Sequence, residues 1–131
     1  MRLLDLVVLG PITILQEAEG EPFDGKIAVG EVIRRRMKQK FWSDGTVEGT
    51  VLRPLQFSGW NGNAPNRLRT VRADDTDPVV QDCIRAWEKS TTSTLVPGAT
   101  HYFSVLMADP YWAKTFRFVG QIGKHRFYDG T

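Results

Sequence analysis

The sequence is 131 residues long, with 41% hydrophobic residues, 24% charged residues and a formal net charge of +2. This length and composition exclude a disordered chain and are sufficient for one domain with its own core, over residues 1–131. The small positive charge permits an anionic polymer as partner but does not require one. Cys83 is the single cysteine, which excludes an intramolecular disulfide and a thiolate zinc site.

The beginning of the chain is predicted to be helical. Proline is tolerated at the first position of a helix, so Pro11 predicts a helix over residues 11–18 that stops before Gly20. Residues 3–9 are predicted to form a separate helical turn. The opening MRLLDLVVLGP is interpreted as part of the fold and not as a signal peptide, because Asp5 interrupts its apolar run and no clear cleavage site follows.

A second helix is predicted from Asp24, as its cap, to about Lys38. Its apolar residues recur at helical spacing and form one face: Ile27, Ala28, Val32 and Ile33. Five basic residues lie between positions 34 and 40, where positive charge suits the helix dipole. We interpret this cluster as a solvated helix end, with a binding surface as the alternative.

The remainder of the chain divides into a loop, a helix and strands. Residues 42–76 are predicted to be irregular, and a loop of this length is commonly functional. A third helix is predicted from Pro78 to about Lys89, with Asp77 as its cap. Short strands are predicted over 100–107, 115–120 and 124–130, with turns between Gly120 and Gly123. Helices followed by strands predict an α+β domain.

The sequence gives little support for metal or phosphate chemistry. The two histidines, His101 and His125, lie in separate segments without a spacing typical of metal ligands. The stretch GWNGN, residues 59–63, lacks the Lys-Ser/Thr pair of a phosphate-binding loop, and no nucleophile elbow is present. We therefore expect no metal and no cofactor.

Aromatic residues occur in the predicted loops and strands, beside polar residues. Their flat apolar faces and polar tips suit sugar rings, which have one apolar face and many hydroxyls. The alternative is that most of these rings build the core, as is expected of Phe57 and Phe103. The residues in question are Phe57, Trp60, Tyr102, Phe103, Tyr111, Trp112, Phe127 and Tyr128.

Three carboxylates, Glu17, Glu19 and Glu21, crowd the end of the first predicted helix. The negative end of the helix dipole, like charges nearby and burial against aromatic rings would each raise the pKa of a glutamate there. A raised pKa is what a general acid needs in order to hold its proton near neutral pH. The alternative is an ordinary exposed helix end.

Six short motifs follow one another from about Ile14 to Tyr128. They read QEAEGE (16–21), DGKIAVGEVIRRR (24–36), QFSGW (56–60), ATHYF (99–103), PYW (110–112) and IGKHRFY (122–128). In this order they resemble the cell-wall hydrolases of the spore-cortex-lytic type (SleB/CwlJ-like). The resemblance implies a mostly helical, lysozyme-like single domain with a small antiparallel β element near the C-terminus. It also implies cleavage of peptidoglycan glycan strands between N-acetylmuramic acid and N-acetylglucosamine.

The resemblance also assigns roles to residues. It places the family's catalytic acid on Glu17 and the second glutamate of that motif on Glu21. The segments QFSGW, ATHYF and PYW mix aromatic faces with hydrogen-bonding groups, and we predict that they line the glycan site. The predicted substrate-binding residues are Glu21, Gln56, Ser58, Trp60, Tyr102 and Trp112, with His101 and His125 in possible supporting roles.

Two mechanisms remain open at this stage. A hydrolytic muramidase needs a second carboxylate across the sugar, for which the candidates are Glu21, Asp74, Asp75 and Asp109. A lytic transglycosylase manages with Glu17 alone, because the 6-hydroxyl of muramic acid is the nucleophile. We favour the second route. The alternative to an enzyme is a non-catalytic module that binds the wall or a nucleic acid through the basic cluster and the aromatic loops.

The expected partners are peptidoglycan glycan strands, without nucleic acid and without stable membrane insertion, and the expected state is a monomer. Because no export signal is clear, we expect synthesis in the cytoplasm and action on the cell wall after release, as for a bacteriophage endolysin.

Overall fold

The computed structural model describes residues 6–53, 57, 60 and 73–131. In these residues the helices come first and a small antiparallel sheet follows, which confirms the predicted α+β class. The helices are α1 (Leu6–Ala18), α2 (Phe23–Gln39), α3 (Val47–Val51) and α4 (Pro78–Lys89). The strands are β1 (His101–Ser104), β2 (Arg117–Ile122) and β3 (His125–Asp129), with a 3-10 helix over Tyr111–Lys114. No helix in the described ranges is long and apolar enough to cross a membrane.

Helix α1 runs continuously through Gly10 and Pro11, so the predicted helix start at Pro11 is wrong, as is a separate turn over residues 6–9. Residues 3–5 of that predicted turn lie outside the described residues. Gly10 lies against α4, where an added Cβ would come within 2.4 Å of the Trp87 indole. The glycine therefore permits close packing between two helices. Because α1 packs against α2, α3 and α4, tertiary burial outweighs the hydrogen bond that a proline inside the helix gives up.

Helix α2 begins at Phe23 with Pro22 at the N-cap position, and no side chain caps it. Asp24 lies inside the first turn, so its predicted role as the cap is wrong, although its charge still suits the helix dipole there. The helix ends at Gln39, close to the predicted end. Lys40 follows in the left-handed conformation at φ 54°.

The arginines of the predicted basic cluster are not solvated. Arg34 donates from Nε to Ser90 Oγ at 2.8 Å and from Nη2 to the Trp87 carbonyl oxygen at 2.7 Å. Arg35 donates from Nη1 to the Ala99 carbonyl oxygen at 2.6 Å. Arg36 donates from Nε to the Thr100 carbonyl oxygen at 2.8 Å. The interpretation as a solvated helix end is therefore wrong for these three residues and holds for Lys38 and Lys40, which are exposed.

Glu31, like the arginines, connects α2 to the segment that leads into the sheet. Its buried carboxylate accepts hydrogen bonds from Ser93 Oγ at 2.5 Å, Leu95 N at 2.9 Å and Val96 N at 3.0 Å. A buried carboxylate is tolerated when hydrogen bonds replace its lost hydration. The sequence analysis did not single out this residue.

Helix α4 has the predicted bounds, and Asp77 Oδ1 accepts from Val79 N at 3.0 Å as the predicted cap. The loop prediction over residues 42–76 is wrong where the short helix α3 forms, with Thr46 Oγ1 accepting from Gly49 N. Much of the predicted loop lies outside the described residues.

The sheet has the strand order β1-β3-β2, and both pairings are antiparallel. The three predicted strands are confirmed: β1 and β3 have shorter bounds than predicted, and β2 has the predicted length but lies two residues later, so that Gly120 is within it and not in a turn. In the register of β1 and β3, Tyr102 lies opposite Phe127 and Ser104 opposite His125. Alternation places these four residues on one face of the sheet.

Candidate active site

The site is built where the end of α1 meets β1. Glu17 lies in the last turn of α1, and Tyr102 lies on β1. The phenol hydroxyl of Tyr102 donates a hydrogen bond to Glu17 Oε1 at 2.5 Å. One carboxylate oxygen is therefore held by the protein, which fixes the orientation of the carboxyl group.

Burial raises the pKa of the Glu17 carboxyl, because a carboxylate loses hydration there. The hydrogen bond from Tyr102 and the charge of Arg36 lower the pKa, but they oppose the burial effect only in part. The predicted direction of the shift agrees with this environment. Of the three causes that the sequence suggested, burial is the chief one, and the neighbouring glutamates are not among the groups that shift this pKa.

Tyr102 lies on the inner face of the sheet, and its ring centroid is 5.0 Å from His125 and 5.6 Å from Phe127. Burial, followed by the charge of Glu17, raises the phenol pKa well above its usual value, so the hydroxyl keeps its proton and remains a donor. Phe103 lies on the other face and stacks on Tyr128 at 5.7 Å. Phe57 is buried in the core, whereas Phe103 is only half-buried.

Arg36 is a buried cation that the sequence analysis did not connect to the site. Its charge acts on both Glu17 and Tyr102, and its guanidinium lies 5.3 Å from the ring centroid of Phe57. The bond to the Thr100 carbonyl oxygen keeps it at the base of β1. Arg36 is the last residue of the second matched motif, but nothing in the sequence distinguishes it from the two arginines that precede it.

Glu21 is held by the turn between β2 and β3. Its Oε1 accepts from Lys124 N at 2.8 Å and lies 3.6 Å from Nδ1 of His125. An added Cβ at Gly123, where φ is 57°, would come within 2.7 Å of the same oxygen. Burial lowers the pKa of His125, and the charge of Glu21 opposes this in part. The structure thus brings Glu21 and His125 together as a pair.

The other predicted site residues are dispersed. Trp60 donates from Nε1 to Thr13 Oγ1 at 2.8 Å and packs against the core. His101 lies in an aromatic cluster that includes Trp112, with a ring distance of 5.0 Å. Gln56 and Ser58 lie outside the described residues. Among the residues that the structure describes, no group of three or more potential ligands could hold a metal ion.

A family model described as Cell Wall Hydrolase matches residues 20–128 of this chain. The chain belongs to the cell wall hydrolase family. The matched range includes Glu21, Tyr102 and His125, and it begins three residues after Glu17.

Two curated relatives of this cell wall hydrolase are spore cortex-lytic enzymes. The one from Oceanobacillus iheyensis is 32% identical over 111 residues, covering 85% of this chain and 37% of the relative. The one from Bacillus subtilis is 28% identical over 127 residues, covering 97% of this chain and 36% of the relative. This chain therefore spans little more than a third of the length of these two relatives.

Two solved structures share the fold of this cell wall hydrolase. The catalytic domain of the Bacillus cereus SleB protein has a TM-score of 0.74 at 22% identity, covering 95% of this chain and 89% of the other. The catalytic domain of the germination-specific lytic transglycosylase SleB from Bacillus anthracis has the same TM-score and identity, covering 98% and 97%.

Proposed function

We propose that this cell wall hydrolase cleaves peptidoglycan between N-acetylmuramic acid and N-acetylglucosamine as a lytic transglycosylase, with Glu17 as its general acid and base. The observation that carries the proposal is the environment of Glu17. Burial raises the pKa of its carboxyl group while Tyr102 holds one oxygen. Such a group can keep a proton near neutral pH and present it in a fixed direction.

The hydrogen bond from Tyr102 supports a separate role for each oxygen of Glu17. Oε1 accepts the hydroxyl hydrogen of Tyr102, so Oε2 is the oxygen that carries the transferable proton. In the first step Oε2 protonates the glycosidic oxygen as its bond to the muramic acid C1 breaks. In the second step the carboxylate removes the proton from the 6-hydroxyl of the same sugar, whose oxygen bonds to C1. The enzyme regains its proton, and a 1,6-anhydro end is formed without consumption of water.

The Arg36 charge supports the intermediate state of this cycle. After the first step Glu17 is an anion in a buried position, which is unfavourable without a nearby cation or donor. Arg36 and the Tyr102 hydroxyl both lower the pKa of Glu17. They therefore stabilise the carboxylate until it is reprotonated by the 6-hydroxyl.

The placement of the other candidate acids favours one carboxylate over two. Oε1 of Glu21 accepts a hydrogen bond from Lys124 N and lies beside His125, which ties Glu21 to the turn between β2 and β3. Asp74 and Asp75 are exposed and line a cavity between α1 and α4, and Asp109 is exposed before the 3-10 helix. None of these four acids is among the groups that shift the pKa of Glu17.

Two observations favour an enzyme over a binding module: the relatives are enzymes, and the arginines make hydrogen bonds within the fold. The curated relatives are spore cortex-lytic enzymes, and one solved neighbour is a lytic transglycosylase by its title. In addition, Arg34, Arg35 and Arg36 bond to α4 and to the approach to β1, so they are not available as a basic surface. Action on the cell wall follows from the proposed substrate. Host-cell lysis as an endolysin and the monomeric state stay predictions.

Digestion of purified peptidoglycan followed by mass spectrometry tests the proposal. We expect muramic acid ends that are lighter by one water than those of a hydrolysed standard. Ends of full mass would show a hydrolytic muramidase. No released glycan at all, from folded protein, would leave a binding module as the better description.

A further inference from the structure

Two tryptophans flank His101 on the outer face of the sheet. The ring centroid of His101 is 5.9 Å from Trp42 and 5.0 Å from Trp112. His101 is only 5% exposed, whereas Trp42 is 47% exposed and Trp112 is partly exposed. The imidazole also packs edge-on against Phe116 at 4.9 Å and Phe41 at 5.3 Å, so it lies within an aromatic cluster whose two indoles are in part accessible to solvent.

The backbone at Trp42 is strained. Its φ is 49°, in the left-handed region, which costs a non-glycine residue roughly 1–2 kcal/mol. Strained residues of this kind tend to cluster at ligand sites, where the strain is part of the function. Burial of the indole does not account for it, because nearly half of the side chain is exposed.

His101 offers a neutral hydrogen-bonding group in this position. Burial, together with the charge of Arg36, lowers its pKa to about 4, so the ring is uncharged at neutral pH. Its Nδ1 lies 2.8 Å from Thr100 Oγ1, which also accepts from Gly130 N at 2.9 Å. Thr100 Oγ1 can donate to Nδ1 or accept from it, and in either tautomer the neutral ring has one donor and one acceptor nitrogen.

The aromatic group is connected to the Glu17 site through Arg36. The guanidinium of Arg36 lies 5.9 Å from the Trp42 ring centroid, and its charge acts on both Glu17 and His101. His101 is also the residue before Tyr102, the partner of Glu17, on β1. His101 and Tyr102 point to opposite faces of β1, so a polymer bound at Glu17 would meet the indoles by passing the end of the strand at which Arg36 lies.

We propose that Trp42, Trp112 and His101 form a subsite, here called the indole subsite, that binds a neutral N-acetylated sugar of the glycan strand next to the bond at Glu17. The inference rests on the proposed function. Indole faces suit the apolar face of a sugar ring, and an uncharged imidazole between them suits a hydroxyl or acetamido group. Trp42 thus extends the predicted substrate contacts beyond the six matched motifs, to which His101 and Trp112 belong.

The test is a titration of tryptophan fluorescence with an N-acetylglucosamine tetramer, carried out in the Glu17→Gln background so that no turnover occurs. Trp42→Gly removes the ring and also relieves the left-handed backbone, because glycine adopts that conformation freely. We expect at least a tenfold loss of affinity with the melting temperature retained. Trp42→Tyr keeps an aromatic face and should retain most of the affinity.

Phe118→Ala is the matched control, because this ring is 46% exposed, close to the 47% of Trp42, and lies outside the six matched motifs. It should bind the tetramer as the parent protein does. Unchanged affinity of Trp42→Gly for the tetramer would overturn the indole subsite. A large fall in the melting temperature of Trp42→Gly, together with weak binding by Trp42→Tyr, would also overturn it.

The outcomes separate this inference from the proposed function. Wild-type protein that yields anhydro ends, combined with a Trp42→Gly variant that binds the tetramer normally, overturns the subsite alone. Wild-type protein that releases no glycan overturns the proposed function, while a tenfold weaker Trp42→Gly variant would still support a sugar-binding site at the indoles.

Discussion

The Tyr102 hydroxyl donates to Glu17 Oε1 across 85 residues of sequence and joins the first helix to the first strand. Because burial removes water from both groups, the strength of this hydrogen bond depends on whether the Glu17 carboxyl group is protonated. The phenol keeps its proton because its pKa is raised, and the carboxyl group alternates between acid and carboxylate in the proposed cycle. The hydrogen bond favours the charged form of Glu17, so it assists the proton release that the first step requires.

Replacement of Glu17 by Gln should abolish wall cleavage. The amide keeps the size of the side chain and can still accept from Tyr102, but it has no transferable proton. General acid–base groups typically contribute about two to four orders of magnitude in rate. We expect a loss at the upper end of this range or beyond, measured as release of soluble glycan from purified walls.

Glu19→Gln is the matched control for this change, because Glu19 is an exposed residue two positions away. It should cleave at close to the wild-type rate. Activity of Glu17→Gln within a few-fold of wild type would contradict the assignment of the acid. Both proteins are to be compared by circular dichroism so that a folding defect is recognised.

Tyr102→Phe should move the alkaline limb of the pH–rate profile to higher pH. The acid form of Glu17 is required, so the rate falls as pH rises through its pKa. Because the Tyr102 hydrogen bond lowers that pKa, its removal raises it further. We also expect about a tenfold lower rate from the less well oriented carboxyl group, equivalent to roughly 1.4 kcal/mol.

Thr92→Val removes an exposed hydroxyl outside the matched motifs and should leave both the rate and the profile unchanged. A shift of the alkaline limb to lower pH in Tyr102→Phe would mean that the phenol stabilises the acid form of Glu17, contrary to the account given above.

The stability of the fold should fall as pH decreases from about 6.5 toward 4, in part because of His101. Its folded pKa of about 4 lies below the ordinary value of 6.5, so the unfolded chain binds more protons in this window. Stability then rises with pH. His125, whose pKa is also lowered, acts in the same direction, whereas Glu17 acts in the opposite one.

Thermal melts of wild type and His101→Phe across this range isolate the contribution of one histidine. The melting temperature of the variant should fall less on acidification than that of wild type, because the phenylalanine ring cannot be protonated. Parallel curves for the two proteins would show that His101 does not titrate differently in the folded and unfolded states.

Glu31→Gln should destabilise the fold without a direct effect on chemistry. The carboxylate accepts from Ser93, Leu95 and Val96, and an amide NH2 in its place would face donors. Loss of hydrogen bonds to a charged acceptor costs about 1.5–3 kcal/mol. Urea denaturation measures this difference. Glu88→Gln, on the exposed side of α4, is the control and should unfold as wild type does.

Local patterns in the sequence predicted the elements themselves. Apolar spacing and the Asp77-Pro78 pair were sufficient for α2 and α4, and the aromatic runs were sufficient for the three strands, because periodicity and caps act over a few residues. The Gly10-Pro11 pair failed as a boundary. The close contact of Gly10 with Trp87, which is 77 positions away in the chain, is a tertiary requirement that no local rule contains.

The sequence by itself determined the α+β class and, through the order of its motifs, pointed to Glu17 as the candidate acid. Only the tertiary structure decided what surrounds that acid. The partner hydroxyl comes from β1, the cation comes from α2, and the indole beside His101 comes from the turn after α2. Burial and electrostatic coupling depend on distance in space, and the residues that supply them here are separated by tens of positions in the chain.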